Sequence, residues 1–171
     1  MTAVYGVTTS SDGPLDWSHA EECLKRARNY WIATTRPYGT PHAVPVWGVW
    51  VEGSLYFGTS RSSVKGRNLA HSPRLVVHLE SADDVVIIEG EVEEVRDRAS
   101  FDAIDVAYRT KYGMGVAEAG EEGAVWYVVR PKKAHAWLEN NFPNTATRWR
   151  YATARGDRVT HGRLSAAVYS S

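Results

Sequence analysis

The residues best suited to chemistry in this chain are gathered in one short stretch: Thr59, Ser60, Arg61, Ser62, Ser63, Lys65, Arg67 and Asn68. Hydroxyl, cationic and amide donors follow one another there with no acidic residue between them. If a helix begins near Ser63, its first backbone N–H groups have no intrahelical partner and its dipole favours negative charge. The serine hydroxyls and Lys65 would add donors, giving a cup for a phosphate without a Walker-type glycine loop. The same residue types describe an ordinary solvated basic helix start capped by serine. Composition alone leaves the two open.

Other patterns carry less. Ser62-Ser63-Val64-Lys65 matches the S-x-x-K of serine acyl-transfer enzymes, and Lys111-Tyr112-Gly113 matches two positions of K-T-G. S-D-N is missing and the chain is short for that fold, so acyl transfer is set aside. Gly113-x-Gly115 meets Glu118 where a dinucleotide fingerprint needs its third glycine, and it follows a helix rather than a strand. Neither an H-x-x-x-H spacing nor a Cys/His pairing is read among the six histidines, so no metal site is expected, and His78 reads as a hydrogen-bonded strand residue rather than a haem ligand. Asp83, Asp84, Glu89, Glu91, Glu93 and Glu94 could line a metal but read rather as a solvated strand face. Cys23 is the single cysteine, which rules out an internal disulfide and reads as a packed thiol.

The cup must be positioned by a scaffold. At 171 residues and 43% hydrophobic content, the chain can bury one substantial core and is short for two domains. Residues 1–14 read as a flexible lead-in, 15–151 as one domain and 152–171 as a polar tail of unknown role. Twenty basic against twenty acidic residues leave no global field for nucleic acid or an anionic membrane. With no apolar run long enough to span a bilayer and no signal-peptide pattern, a cytoplasmic protein is expected.

Asp16 caps a predicted helix over 17–29 with Trp17, Ala20, Leu24 and Ala27 on one stripe. Strands are predicted over 30–36, 42–51, 55–59, 74–80, 85–95 and 125–139, the last broken near Pro131. Pro37-Tyr38-Gly39 and Glu52-Gly53-Ser54 supply tight turns, so neighbours should be antiparallel. A helix over 98–111 carries Phe101, Ile104, Tyr108 and Tyr112 on one stripe. Residues 113–123 read as a loop, either a lid or a solvated connection. Six strands and flanking helices predict a mainly β, α+β barrel. HAVPVWGVW and DDVVIIEG are apolar on both faces, which asks for cover by helices, a ligand or a second subunit. Seven tryptophans and nine tyrosines point the same way, and a two-fold homodimer with pockets at the subunit junction would answer that need.

The order WIATTRPYGTPHAVPVW, LYFGTS, SSVKGRNLAHSPRLVVHLE and VVIIEGEVEEV resembles the split-barrel flavin and deazaflavin oxidoreductases, the superfamily that includes pyridoxamine 5'-phosphate oxidase. More narrowly it is similar to the actinobacterial deazaflavin-dependent branch, through Lys65, Arg67, Asn68, Leu69 and Pro73, and through Phe142 to Arg150 near the end. The likeness spans roughly residues 31–151. It implies a six-stranded antiparallel split β-barrel of the FMN-binding type, with Pro45, Val46 and Trp47 along the cofactor ring. It assigns Thr59, Ser60, Ser63, Lys65, Arg67 and Asn68 to the phosphate side. Trp149 and Arg150 would approach from a partner subunit.

The implied activity is coenzyme F420-dependent transfer of a hydride to an activated C=C or C=N bond of a small organic substrate. The alternatives are an FMN-dependent oxidase or reductase, or a non-catalytic protein binding flavin, deazaflavin or haem. His42 and Tyr38, close in sequence to Pro45–Trp47, are the candidates for a proton source. Val64 stands where the oxidase has a phosphate-binding arginine, and Trp149-Arg150-Tyr151-Ala152 replaces its terminal Arg-Leu-x-Pro. Both departures argue against pyridoxamine phosphate as substrate.

Overall fold

A computed structural model describes residues 7–8, 15–120, 123–142 and 144–151. Its elements in chain order are β1 (Val7–Thr8), α1 (Trp17–Arg26), β2 (Asn29–Thr35), β3 (Pro41–Trp47), β4 (Val49–Val51) and β5 (Ser54–Ser60). Then come α2 (Val64–His71), β6 (Arg74–His78), β7 (Asp84–Glu94), α3 (Arg98–Tyr112), α4 (Val116–Ala119), β8 (Ala124–Leu138) and β9 (Thr147–Tyr151). Every ladder is antiparallel.

The ladders run β8–β7–β6–β2–β3, and β5 joins β4 to the other edge of β8. Since β3 continues into β4 across Gly48, the sheet closes on itself. Counting β3 and β4 as one bent strand, the ring has the six strands expected, and it is split where β3 leaves β2 and β4 takes up β5. The predicted single strand over 42–51 is therefore two. The Gly48 N–H and carbonyl turn away from the ladder to Tyr112 and Lys111, which ends one pairing before the next begins.

Outside the ring, β9 pairs residues 133–136 of β8 and β1 pairs β9. Neither strand was expected: TRWRY is too polar in alternate positions to stand out, and Val7–Thr8 lies in the predicted lead-in. The rest of that lead-in and the tail from 152 lie outside the described residues. The break expected near Pro131 is instead a bulge. Gly90 pairs Pro131 and Glu89 pairs Lys133, so Lys132 is the extra residue and β8 runs on through a proline that donates nothing. Helix α1 stops at Arg26, short of the predicted 29, because Asn29 already belongs to β2. The hairpin at Glu52-Gly53 has φ 47° and 76°, the left-handed pair expected from its sequence.

Two cores result. Tyr30, Ile32, Leu55, Phe57, Val77 and Ile88 fill the barrel with α1, Trp50 and Trp149. On the outside, α3 lays Ile104 and Tyr108 against Val49, Trp126 and Val128. Strand β4 is thus covered on both faces, Trp50 inward and Val49 against α3, which accounts for its unbroken apolarity. Strand β3 is different: Pro41, Ala43, Pro45 and Trp47 are exposed along its outer side. The acidic strand face forms an ion-pair ladder, with Glu89 to Lys133 and His135, Glu93 to Arg130 and Glu94 to Arg61. No helix of the described residues is long and apolar enough to cross a membrane.

Candidate functional site

The split in the barrel opens a cleft of about 280 Å³. Pro45, Val46 and Trp47 from the end of β3 form one side, and Thr59, Ser60, Ser63 and Lys65 form the other. Seven of the residues singled out from sequence therefore meet in one place, although fifteen positions of bent strand and hairpin separate Pro45 from Ser60.

The polar end is built locally. Ser63 is the N-cap of α2, its hydroxyl accepting from Gly66 N at 3.0 Å and donating to the Ser60 carbonyl at 2.8 Å. Its Oγ also lies 3.0 Å from Thr59 Oγ1, while Ser60 and Ser62 hydroxyls pair at 2.8 Å. Gly66 permits this closeness, since a Cβ there would overlap the Ser60 carbonyl oxygen. Helix α2 can therefore start directly against the end of β5. Lys65 makes no ion pair within 4.0 Å among the described residues and lines the same cleft.

Arg67 and Asn68 sit differently. Arg67 is exposed and donates to the Ser62 carbonyl, holding the turn from outside. Asn68 is 2% exposed and donates to Thr34 Oγ1 at 2.9 Å, so it ties α2 to β2. Arg67, two positions after Lys65, is turned to the far side of α2; Asn68, three positions after it, shares its side, but its amide is spent on Thr34 in the interior.

The apolar side joins Trp47 to distant segments that the sequence left unassigned to any site. Trp47 stacks on Tyr112 at 4.7 Å with a 9° interplanar angle, Tyr112 meets Tyr108 at 4.5 Å, and Tyr108 meets Trp126 edge-on at 5.3 Å. Arg28 lies over Trp47 and Tyr112 at 5.8 and 5.6 Å. Behind this wall, Lys111 Nζ donates to the Gly48 carbonyl at 2.7 Å and to Tyr30 Oη at 3.1 Å. Burial, with a smaller push from Arg28, lowers Lys111 to a pKa of about 8. The Tyr112 hydroxyl accepts from Gly48 N at 3.0 Å and faces the carbonyls of Arg28 and Gly48 at 2.6 and 2.9 Å. The aromatic stripe of α3 was legible; that it would brace the strand break was not.

Residues 113–123 contain α4, and Ala119 and Gly120 form part of the cleft lining. The segment is fastened by Asp105, which accepts from Val116 N at 2.9 Å, and by Arg109, bridged to Asp105 and Glu118. His42 lies three residues before Pro45; desolvation, then Arg36 and Lys65, hold it below the usual histidine value. Its Nδ1 is buried without a hydrogen-bond partner among the described residues. Tyr38, 88% exposed at the β2–β3 turn, does not join the cleft. Trp149 is 1% exposed, edge-on to Trp17 in the barrel core, and Arg150 beside it points to solvent. Neither lines this chain's own cleft.

One cluster escaped the sequence analysis altogether. His19 and Cys23, four apart on α1, meet Asp84 at the start of β7. The absence of a Cys/His pairing expected from sequence is corrected here, since His19 and Cys23 stand at that spacing on one helix, and nothing in the sequence joins them to Asp84.

Among solved structures, the chain is similar to the conserved hypothetical protein Rv2991 of Mycobacterium tuberculosis, at 22% identity over 74% of this chain and 87% of that one, with a TM-score of 0.64. It is also similar to a protein described as an F420 reductase, at 28% identity over 67% and 94%, TM-score 0.55. A haem-binding protein of Mycobacterium smegmatis shares the fold at 20% identity over 72% and 54%, TM-score 0.59. No curated protein matches. Residues 17–138, from the first turn of α1 to the last residue of β8, match the family described as pyridoxamine 5'-phosphate oxidase. The split ring, the cleft at its opening and this match over most of the chain agree, and the protein belongs to the pyridoxamine 5'-phosphate oxidase family.

Proposed function

We propose that this protein is a flavin-type oxidoreductase that holds coenzyme F420 in the cleft between Pro45–Trp47 and Thr59–Lys65, and reduces an activated C=C or C=N bond of a small organic substrate. The observation that carries this reading is the convergence of a flat apolar edge and a hydroxyl-and-ammonium end on one opening. That polarity suits a planar ring with a phosphate-bearing tail. When bound, the deazaflavin supplies the hydride, so the chain's own work is to bind, orient and exclude water. Lys65 and the hydroxyls of Thr59, Ser60 and Ser63 anchor the anion. Pro45 and Trp47, braced by Tyr112, set the plane of the ring.

Similarity to a protein described as an F420 reductase supports the deazaflavin over FMN. Val64, standing where the oxidase has its phosphate arginine, supports a substrate other than pyridoxamine phosphate. Catalysis also needs room beside the ring, and Trp47, 42% exposed, leaves the mouth open rather than sealing it. Of the two proton-source candidates, His42 shares the neighbourhood of Lys65 whereas Tyr38 stands away from it. The reading keeps His42 and water.

A homodimer belongs to the same reading. The cleft's volume falls near the lower end of the roughly 300–1,000 Å³ typical of small-molecule sites, and the outer residues of β3 beside it are exposed. A second copy laid along β3 would deepen the cleft and cover that strip. Arg150, exposed where Trp149 is buried, is the member of the C-terminal pair able to reach a partner's site.

Titrating the purified chain with F420 and with FMN, followed by ring absorbance and fluorescence, tests the cofactor. Tight FMN binding with no F420 binding reverses the choice. Lys65→Ala is expected to weaken the phosphate-bearing cofactor by ~10-fold or more, the loss of a charge-assisted hydrogen bond of ~1.5–3 kcal/mol. Unchanged affinity would remove the phosphate assignment.

A further inference from the structure

We infer that His19, Cys23 and Asp84 form a binding site for a divalent ion of zinc type, with three protein ligands and a fourth position open to solvent. His19 and Cys23 stand one helical turn apart on α1, so both side chains leave the same face. That face meets the first residue of β7, where the Asp84 N–H is held by Ser81 Oγ at 3.0 Å. His19 Nε2 lies 2.9 Å from Asp84 Oδ1, Cys23 Sγ 3.5 Å from Asp84 Oδ2, and Cys23 Sγ 3.9 Å from His19 Nε2.

Those separations approach a tetrahedral ligand set. Zinc distances of about 2.0–2.1 Å to nitrogen and oxygen and about 2.3 Å to sulfur place ligand atoms roughly 3.3–3.6 Å apart. His19 and Cys23 meet different oxygens of the Asp84 carboxylate, and with one ligand atom from each residue all three lie within 4.8 Å of one another, so an ion seats as side-chain rotations draw them in. Charge also closes: a thiolate, a carboxylate and a neutral imidazole balance a dication, which a half-buried position requires. The Cys23 proton leaves to solvent as the metal–sulfur bond forms. Arg26, whose Nη2 lies 3.7 Å from Cys23 Sγ, is exposed and can rotate outward or stay as an outer partner of the thiolate.

A second cleft, of about 270 Å³, opens beside the cluster and includes Cys23 and Asp84 in its lining, with Glu80 and Ser81 at its rim. It shares no residue with the Pro45–Lys65 cleft. A metal with three protein ligands and an open position on a cleft is the arrangement that leaves room for water or a small oxygen ligand. The site therefore stands independently of the cofactor reading.

The test is a titration of the full, tag-free chain with cobalt(II) and zinc(II). One cobalt per chain, with a near-ultraviolet thiolate charge-transfer band, is expected, and zinc should displace it. Because Cys23 is the only cysteine, such a band has a single source within the chain. His19→Gln and Asp84→Asn should each weaken binding by more than ~10-fold, since even outer-shell partners of a metal cost that much. Circular dichroism of both variants keeps loss of fold apart from loss of ligand, and either variant suffices if the other unfolds. Absence of a saturable thiolate band in the wild type, or the same affinity in both folded variants, overturns the site and leaves His19–Asp84 as a structural pair.

Discussion

The two ends of the main cleft are made in opposite ways. Its polar end, Thr59 to Lys65, lies within seven consecutive residues whose hydroxyls bond one another and the first turn of α2. Its apolar end needs β3, α3 and β8, with Trp47 stacked on Tyr112, Tyr108 between Tyr112 and Trp126, and Lys111 behind the break at Gly48. A local motif can be exchanged without disturbing the barrel; a wall built from distant elements is part of the core. Binding and stability should therefore separate between the two ends.

Trp126→Ala tests that separation most severely. Trp126 is 7% exposed and joins α3 to β8, so its loss should cost ~3–5 kcal/mol of stability in urea unfolding. A cost below ~1 kcal/mol would mean that the wall is not held by the core. Lys65→Ala should do the reverse, lowering cofactor affinity as given above while changing stability by no more than ~0.5 kcal/mol, as expected for a half-buried side chain that makes no ion pair among the described residues. A matching drop in stability would merge the two ends.

Tyr112→Phe probes the junction itself. It keeps the stack on Trp47 but strips the hydroxyl that takes the Gly48 N–H and faces two carbonyls. Leaving the Gly48 N–H unpaired, while Lys111 still serves the Gly48 carbonyl, should cost ~1–3 kcal/mol, with cofactor affinity falling as β3 loosens. Wild-type stability with an intact Gly48 amide in hydrogen exchange would show that the break is set by the strands alone.

Lys111 gives an effect of definite sign. Its folded pKa of about 8 lies below the ordinary lysine value of 10.5, so the unfolded chain binds the extra proton between those limits. Stability of the wild type relative to Lys111→Met should rise as pH increases from about 8 to 10.5. A flat difference across that window would place the ammonium in solvent and weaken its role behind the wall.

How much was legible follows the same division. The start of α2 at Ser63, the hairpin at Glu52-Gly53 and the stripe of α3 follow from side-chain capping, positive φ and a period of 3.6, all properties of neighbouring residues, whereas Asp16, expected to cap α1, stands at its N-cap without a side-chain bond. The six-membered ring was legible as a count of apolar runs. Its closure through Gly48 was not, because a single apolar stretch does not show where its pairing partner changes. Arg67 and Asn68 were named with Lys65 because they follow it in sequence; which face of α2 each presents depends on where β2 and β5 press against it. Strand β9 was missed because its polar alternation becomes informative only beside β8.

Sequence by itself determined the local chemistry: a capped, hydroxyl-rich turn with Lys65, an apolar Pro45–Trp47 edge, and membership through several blocks in order. Tertiary structure decided what meets what. The packing of helices on the closed sheet brings Pro45 and Ser63 to one cleft, sets Tyr112 against Trp47, and carries Asp84 to His19 and Cys23 across more than sixty positions of chain. The physical reason is reach: backbone geometry constrains residues one turn apart, whereas the burial of apolar faces in a closed sheet fixes those that are far apart.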